Sequence, residues 1–316
     1  MKLLFITIFF LNFCLAQTAE NLVIPFDSLD KIEDVESLKS LEPEQLMTIQ
    51  EALGGIKVDG KVGPETMKAM QGYFSYLKVL KKLNGSIPEE FVKKAFSHSK
   101  LEVHKEIADR FARPYEKKTW VEYRKIFVKE SRIASGAKFY KENKKLITEI
   151  ADKYSMDPFI VVTIAGVESN YGVHHSQFSV FNSLYTQIQE MPRRSKWATK
   201  ELAEFLKYCY KDKLDPQEIG GSYAGAFGFG QFIPSSFTRY SIDYNNNGVR
   251  EPYSWPDVLG SIANYLRMNG YEPGSNNYEE DGDIWKSIYA YNHSDNYVMA
   301  VLELTEEIRK RAKIEQ

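Results

Sequence analysis

Glu168 is an acid in apolar company. The run Phe159-Ile160-Val161-Val162-Thr163-Ile164-Ala165-Gly166-Val167-Glu168-Ser169-Asn170-Tyr171-Gly172 is apolar nearly all round, which predicts a buried helix. Glu168 falls at i+4 from Ile164 and i+8 from Ile160, on an apolar stripe. Desolvation favours a neutral carboxyl there, and a position near the helix C-terminus disfavours negative charge. Both effects suit a general acid. A structural alternative is a buried Glu paired with an Arg, or one at a water-filled edge. The second candidate is Gly220-Gly221-Ser222-Tyr223-Ala224-Gly225-Ala226-Phe227-Gly228-Phe229-Gly230-Gln231-Phe232, with five Gly and four aromatics in thirteen residues. Glycines admit close backbone approach to a ligand, and aromatic faces suit sugar rings. A loop packed on the core without a ligand fits the same residues. The stretch lacks the G-K-[ST] end of a phosphate loop. The third is Asp243-Tyr244-Asn245-Asn246-Asn247-Gly248-Val249, which has the first half of an EF-hand pattern. Asp243, Asn245, Asn247, the Val249 carbonyl and the later Asp257 could hold a structural Ca or Na. Ser254 stands where the bidentate Glu is usual, so binding would be weak, and an Asn-Gly turn without metal fits equally.

These residues need rigid elements, and the chain supplies helices. Asp157-Pro158 gives the buried helix an N-cap and a Pro at its first position. Phe139, Leu146, Ile147, Ile150 and Tyr154 read as one amphipathic helix before it. Further helices are expected over 197–210, 257–268 and 294–313. No alternating run is long enough to demand a large sheet. The chain has 316 residues, 43% hydrophobic, enough for a sizeable core in one or two domains. Its net charge of −2 lacks the basic footprint of a general nucleic-acid binder. Two Cys exclude a disulfide scaffold or four-Cys zinc site. His174-His175, adjacent and so unable to share a helix face, read as loop residues.

Residues 1–16 have a basic start, a short apolar run and a small residue at Ala16, which reads as a signal peptide and an exported protein, periplasmic or elsewhere in the cell envelope. The run is too short for a membrane span. Leu11-Asn12-Phe13 before Cys14 does not resemble the motif for lipidation. Residues 17–40 read as an acidic tether or a loosely packed first turn. Residues 41–83 form a compact unit, with Ile49-Gln50 on one helix, the turn Asp59-Gly60-Lys61-Val62-Gly63-Pro64-Glu65-Thr66, and a second helix striped by Met67, Met70, Phe74 and Leu77. That unit resembles the small peptidoglycan-binding helical module. A helical connector over 84–114 follows.

The region 115–316 resembles the lytic murein transglycosylase B family. The resemblance rests on Glu168-Ser169-Asn170-Tyr171-Gly172, the stretch from Gly225 to Ser236, Met191-Pro192-Arg193-Arg194, the Asp243–Asp257 loop, Gly260-Ser261-Ile262-Ala263-Asn264-Tyr265, and Tyr291-Asn292-His293-Ser294. It implies a mainly α fold: a lysozyme-like helical catalytic domain preceded by the peptidoglycan-binding-like module. It implies Glu168 as the single catalytic acid, with Ser222, Gln231, Tyr291 and Asn292 lining the cleft. Arg193 and Arg194 would lie near substrate carboxylates. The implied reaction cleaves the MurNAc-β-1,4-GlcNAc bond of peptidoglycan glycan strands, leaves a 1,6-anhydro end, and needs no cofactor. A hydrolytic muramidase and a non-catalytic wall-binding protein are the competing readings. Larger members carry an insertion where this chain has only Glu272–Asp283, so cleft walls built by it would be absent.

Overall fold

The computed structural model describes residues 24–113 and 117–314, so the expected signal peptide and Cys14 lie outside the described residues. The fold is mainly helical, and its only sheet among the described residues is a two-stranded antiparallel pair, Phe178–Ser179 with Gly220–Gly221. The organising element is the helix Pro158–Ser169. Asp157 caps it by accepting the Phe159 amide at 3.0 Å, and every residue from Phe159 to Gly166 is buried. It packs against the helices Glu130–Glu142, Trp255–Met268 and Asp295–Ile314. Ile160, Val162 and Ile164 have no exposed surface. Each contributes about 1.5–3 kcal/mol of transfer free energy. An Ile164→Ala cavity would cost roughly 2–5 kcal/mol.

The start of this helix is clamped as well as capped. The Tyr278 hydroxyl donates to Asp157 Oδ2 at 2.8 Å, and Arg309 from the last helix pairs with the same oxygen. The short Glu272–Asp283 segment thus lies over the helix start, where the Gly274 amide also donates to the Ser155 carbonyl at 2.6 Å.

Three local expectations differ from what forms. The helix striped by Phe139 and Tyr154 is two helices, Glu130–Glu142 and Lys144–Tyr154, broken at Asn143, which ends one and begins the next. The helix after Pro64 likewise breaks at Met70 into Pro64–Ala69 and Gln71–Leu83. Residues 24–40 are not loosely held. They form the short helices Phe26–Leu29 and Val35–Lys39, and Ile24, Leu29, Ile32 and Leu38 are buried. Acidic composition masked these four apolar anchors. The Tyr73 hydroxyl donates to the Leu29 carbonyl at 2.6 Å, tying the segment down.

The 41–83 unit is built round Gln50, which is 1% exposed. Its amide nitrogen donates to Asp59 Oδ1, the Lys61 carbonyl and Thr66 Oγ1 at 3.0–3.2 Å, while its oxygen accepts the Asp59 and Gly60 amides at 2.9 Å. Gly60 is required: its φ is +66°, and a Cβ would press on Pro43. The unit does not stand apart from the rest of the core. Helix Gln71–Leu83 packs against Val180–Glu190 and Pro192–Lys211.

Candidate active site

The buried helix ends one residue past Glu168. Asn170 takes the left-handed cap conformation at φ 49°, and Tyr171 and Gly172 follow at φ 56° and 84°. Asn can occupy this region, so the stop comes two residues earlier than Gly172 alone would place it. The reversed chain folds Tyr171 back under the helix. Its ring stacks on Phe139 at 5.1 Å, and its hydroxyl occupies the space a Cβ would need at Gly166 and Gly136. Gly172 in turn admits the Phe229 ring, which would lie 3.2 Å from any Cβ. The end of the glutamate helix is therefore wedged between Tyr171 on one side and the glycine-aromatic loop on the other.

Glu168 is half-buried and accepts a 2.5 Å hydrogen bond from the Tyr297 hydroxyl, which arrives from the first turn of the last helix. Burial, reinforced by the Glu168 charge, pushes the Tyr297 hydroxyl well above its ordinary range. Tyr297 therefore stays protonated and a donor. Burial followed by the same carboxylate charge raises Tyr291 too. Tyr291 is pinned by donating to the Gly230 carbonyl at 2.6 Å. Its ring meets Tyr265 at 4.7 Å and Phe232 at 5.4 Å. Tyr265 donates to the Ala290 carbonyl at 2.6 Å and so holds the end of helix Asp283–Tyr291. Asn292 is the C-cap of that helix.

The glycine-aromatic loop adjoins this aromatic cluster through Gly230 and Phe232. It opens in the short strand pair and folds back through bridges between Gly221 and Phe227 and between Phe227 and Phe232. Ser222 closes its tight turn, with its Oγ accepting the Ala226 amide at 3.2 Å. Gln231 adopts φ 48°, and its side-chain nitrogen donates to the Gly228 carbonyl at 2.8 Å and the His175 carbonyl at 3.3 Å. His175, read as a loop residue, rests its ring on Phe229 at 5.1 Å. Glu168 and Tyr291 thus share one neighbourhood, with Gln231 beside Gly230 on the same loop.

The two arginines separate. Arg194 turns inward, donating to Gln187 Oε1 at 2.9 Å between the rings of Phe111 and Trp197. Burial lowers its pKa from the usual guanidinium value. Gln187 passes the contact on by donating to the Tyr223 carbonyl at 3.2 Å, next to Ser222. Arg193 is exposed on the other side of the helix turn.

The remaining buried acids are engaged in holding structure. Glu201 accepts both the amide and the hydroxyl of Ser235, at 2.8 and 2.9 Å. Asp257, 2% exposed, accepts the Tyr244 amide at 2.9 Å and the Glu251 amide at 2.8 Å, and so staples the Asp243–Val249 loop to the start of helix Trp255–Met268. In that loop Asp243 accepts the Asn247 and Gly248 amides, and Asn247 Oδ1 accepts the Val249 amide. Hard oxygen donors at the first, third, fifth and seventh positions suit Ca or Na in type. Elsewhere, His98, Asp215 and Glu218 also converge. That group is ill suited to a metal. His98 Nδ1 accepts the Lys100 amide at 3.1 Å, which leaves the ring proton on Nε2, and Lys100 pairs with Glu218.

A family model described as a transglycosylase SLT domain matches residues 78–280. The chain belongs to that family. The membrane-bound lytic murein transglycosylase B of Escherichia coli strain K12 is 32% identical over 155 residues, 49% of this chain and 43% of that protein. The chain thus spans under half the length of that relative. The soluble lytic transglycosylase SltB1 of Pseudomonas aeruginosa aligns with a TM-score of 0.68 at 26% identity, covering 75% of this chain and 99% of that one. The Escherichia coli lytic transglycosylase Slt35 in complex with calcium has the same fold, with a TM-score of 0.68 at 22% identity over 77% of this chain and 93% of that one. The lysozyme-like lytic transglycosylase fold expected for the C-terminal region is the one found.

Sequence reasoning missed Tyr297 and Tyr265. Tyr297 lies 129 residues from Glu168 and looks like any helix aromatic. The available signal was its place just after Tyr291-Asn292-His293-Ser294. Tyr265 sat inside a matching segment without being given a role.

Proposed function

We propose that this chain is an exported peptidoglycan lytic transglycosylase of the cell envelope, with Glu168 acting as acid and then as base. The observation that carries the reading is a half-buried carboxyl held by a tyrosine hydroxyl, between a pinned aromatic wall and a glycine-aromatic loop, while Asp157, Glu201 and Asp257 are committed to caps and staples. Ordinary glycosidases use two carboxyl groups flanking the bond. One group suffices if the substrate supplies the nucleophile. Glu168 gives its proton to the GlcNAc O4 as the C1–O4 bond to MurNAc breaks. The resulting carboxylate takes the proton of the MurNAc C6 hydroxyl, whose oxygen bonds to C1. The 1,6-anhydro ring closes, Glu168 is reprotonated, and no water is consumed. Tyr297 fixes the carboxyl's orientation, Tyr291 and Asn292 face the sugar, and Ser222 and Gln231 line the loop side. Arg194 reaches toward the lactyl peptide through Gln187, while Arg193, facing the other way, would meet a peptide carboxylate outside the cleft. The reaction needs no cofactor.

Products of purified sacculi decide it. Soluble muropeptides one water lighter than hydrolysis products, absent with Glu168→Gln, are expected. Reducing ends would make the enzyme a hydrolase, and binding without release would make it a wall-binding protein.

A wall-binding module over 41–83, with residues 24–40 packed onto it rather than serving as a tether, a connector over 84–114 and a catalytic region over 115–316 belong to the same proposal. The closed Gln50 turn supports the module as a unit that presents a fixed surface to the wall. Holding the enzyme on its polymer raises local substrate concentration without altering the chemistry. Asp243, Asn245, Asn247, Val249 and Asp257 are proposed to hold a structural Ca or Na. Calcium at about ten times its dissociation constant would add roughly 1.4 kcal/mol. A thermal midpoint that rises with millimolar calcium, but not in Asp243→Ala, is the expected result. Among the described residues no helix is long and apolar enough to cross a membrane.

A further inference from the structure

Outside the cleft, positive charge is gathered in one place although the chain's net charge is −2. An open groove of about 900 Å3 runs between helices Gln71–Leu83 and Pro192–Lys211. Lys78, Lys81 and Lys82 line it from one helix and Arg193, Lys196 and Lys200 from the other, with no Asp or Glu among the lining residues. All six are exposed, and none forms an ion pair among the described residues. The half-buried Trp197 is also part of its wall. Lys81 feels Asp34 and Lys200 feels Glu201, but no acid lines the groove itself, so like charges face one another there and an anion is favoured.

Resting on the function proposed above, we propose that this groove docks the carboxylate-bearing stem peptide of a glycan strand in the wall, apart from the bond being cut. Two observations choose this occupant. The groove is lined only by cations and uncharged residues, and so complements a carboxylate-bearing chain. It is also continuous with the catalytic side through one helix turn. Arg194 reaches inward through Gln187 to the Tyr223 carbonyl beside Ser222, while its neighbour Arg193 opens onto the lysines. Five of the six cations are lysines, mobile point charges that suit carboxylates at varied spacing better than one fixed bidentate partner.

The test uses the full chain carrying Glu168→Gln, so that the wall is bound and not digested. Binding to intact sacculi is compared with binding to sacculi whose peptide carboxylates have been converted to neutral amides. The triple variant Lys78→Glu/Lys82→Glu/Lys196→Glu should bind intact sacculi roughly tenfold more weakly, the scale of several small screened contacts acting together. It should match its parent on amidated sacculi, and Lys→Arg at the same positions should restore binding. Unchanged binding to intact sacculi overturns the proposal, as does an equal loss on the amidated wall. Flotation of the parent, but not the triple variant, with phosphatidylglycerol vesicles would overturn it in favour of a membrane surface. Product analysis with active Glu168 is a separate readout, so a failed transglycosylase assignment and a failed docking assignment can be told apart.

Discussion

Gln50 and Glu168 both lie near the end of a helix with an apolar face, and both are polar groups drawn into the interior. Gln50 is closed. Its amide meets five partners within its own turn, and almost none of it touches solvent. Glu168 is held by Tyr297 from a distant helix and keeps an exposed edge. A fully satisfied hub rigidifies a turn. A carboxyl oriented by a fixed hydroxyl donor and still reachable can exchange a proton with something that enters. The contrast separates a polar residue that builds from one left able to react.

The widest separation should come from Glu168→Gln, which keeps shape and hydrogen-bonding reach but cannot shuttle a proton. Release of soluble wall fragments should fall about a thousandfold, within the 10²–10⁴ range of general acid–base catalysis, with the thermal midpoint nearly unchanged. A variant that retains activity would erase the difference between the two residues. Gln50→Leu should do the reverse. Stranding the part-buried amides of Asp59 and Gly60 should cost about 1–3 kcal/mol in chemical denaturation, while turnover on short soluble glycans persists below the melting point. Tyr297→Phe sits between them. Losing a hydrogen bond to a charged group, about 1.5–3 kcal/mol, should lower turnover roughly 10- to 100-fold without changing the product's end group. A hydrolytic product from this variant would show Tyr297 excluding water rather than orienting Glu168.

The smallest effect is a pH dependence. The Gln50 side-chain hydrogen bond holds the Asp59 carboxyl below its ordinary value. A depressed folded-state pKa adds stability above the unfolded value, and that stability is lost as pH falls through the folded one. The stability difference between wild type and Asp59→Asn should therefore be constant near neutrality and shrink as pH drops below about 4. A difference that grows with acid would mean the turn is held by something other than that carboxylate.

Much of this could be read from residue order. Asp157-Pro158 marked the start of the glutamate helix, helical periodicity marked most of the others, and the glycine-aromatic stretch marked the loop that packs beside Tyr291. What could not be read was set by partners far along the chain. The breaks at Asn143 and Met70 interrupt stripes that local periodicity would continue, because packing neighbours choose the angle between the halves. Ile24, Leu29, Ile32 and Leu38 are anchors hidden among acids, and burial there depends on Tyr73. The adjacent pair Arg193 and Arg194 looked like one feature, yet one helix turn sends them to opposite sides.

Gly166 carries a practical consequence for anyone wishing to make this protein hardier. Replacing a mid-helix glycine by alanine is a stock route to thermal tolerance, since it removes backbone freedom from the unfolded chain. Gly166 lies two residues before Glu168 in the same helix, and the extra methyl would collide with the Tyr171 hydroxyl. The room for a single hydrogen atom sets where the Glu168 carboxyl can stand, so durability gained at that position would be taken from aim.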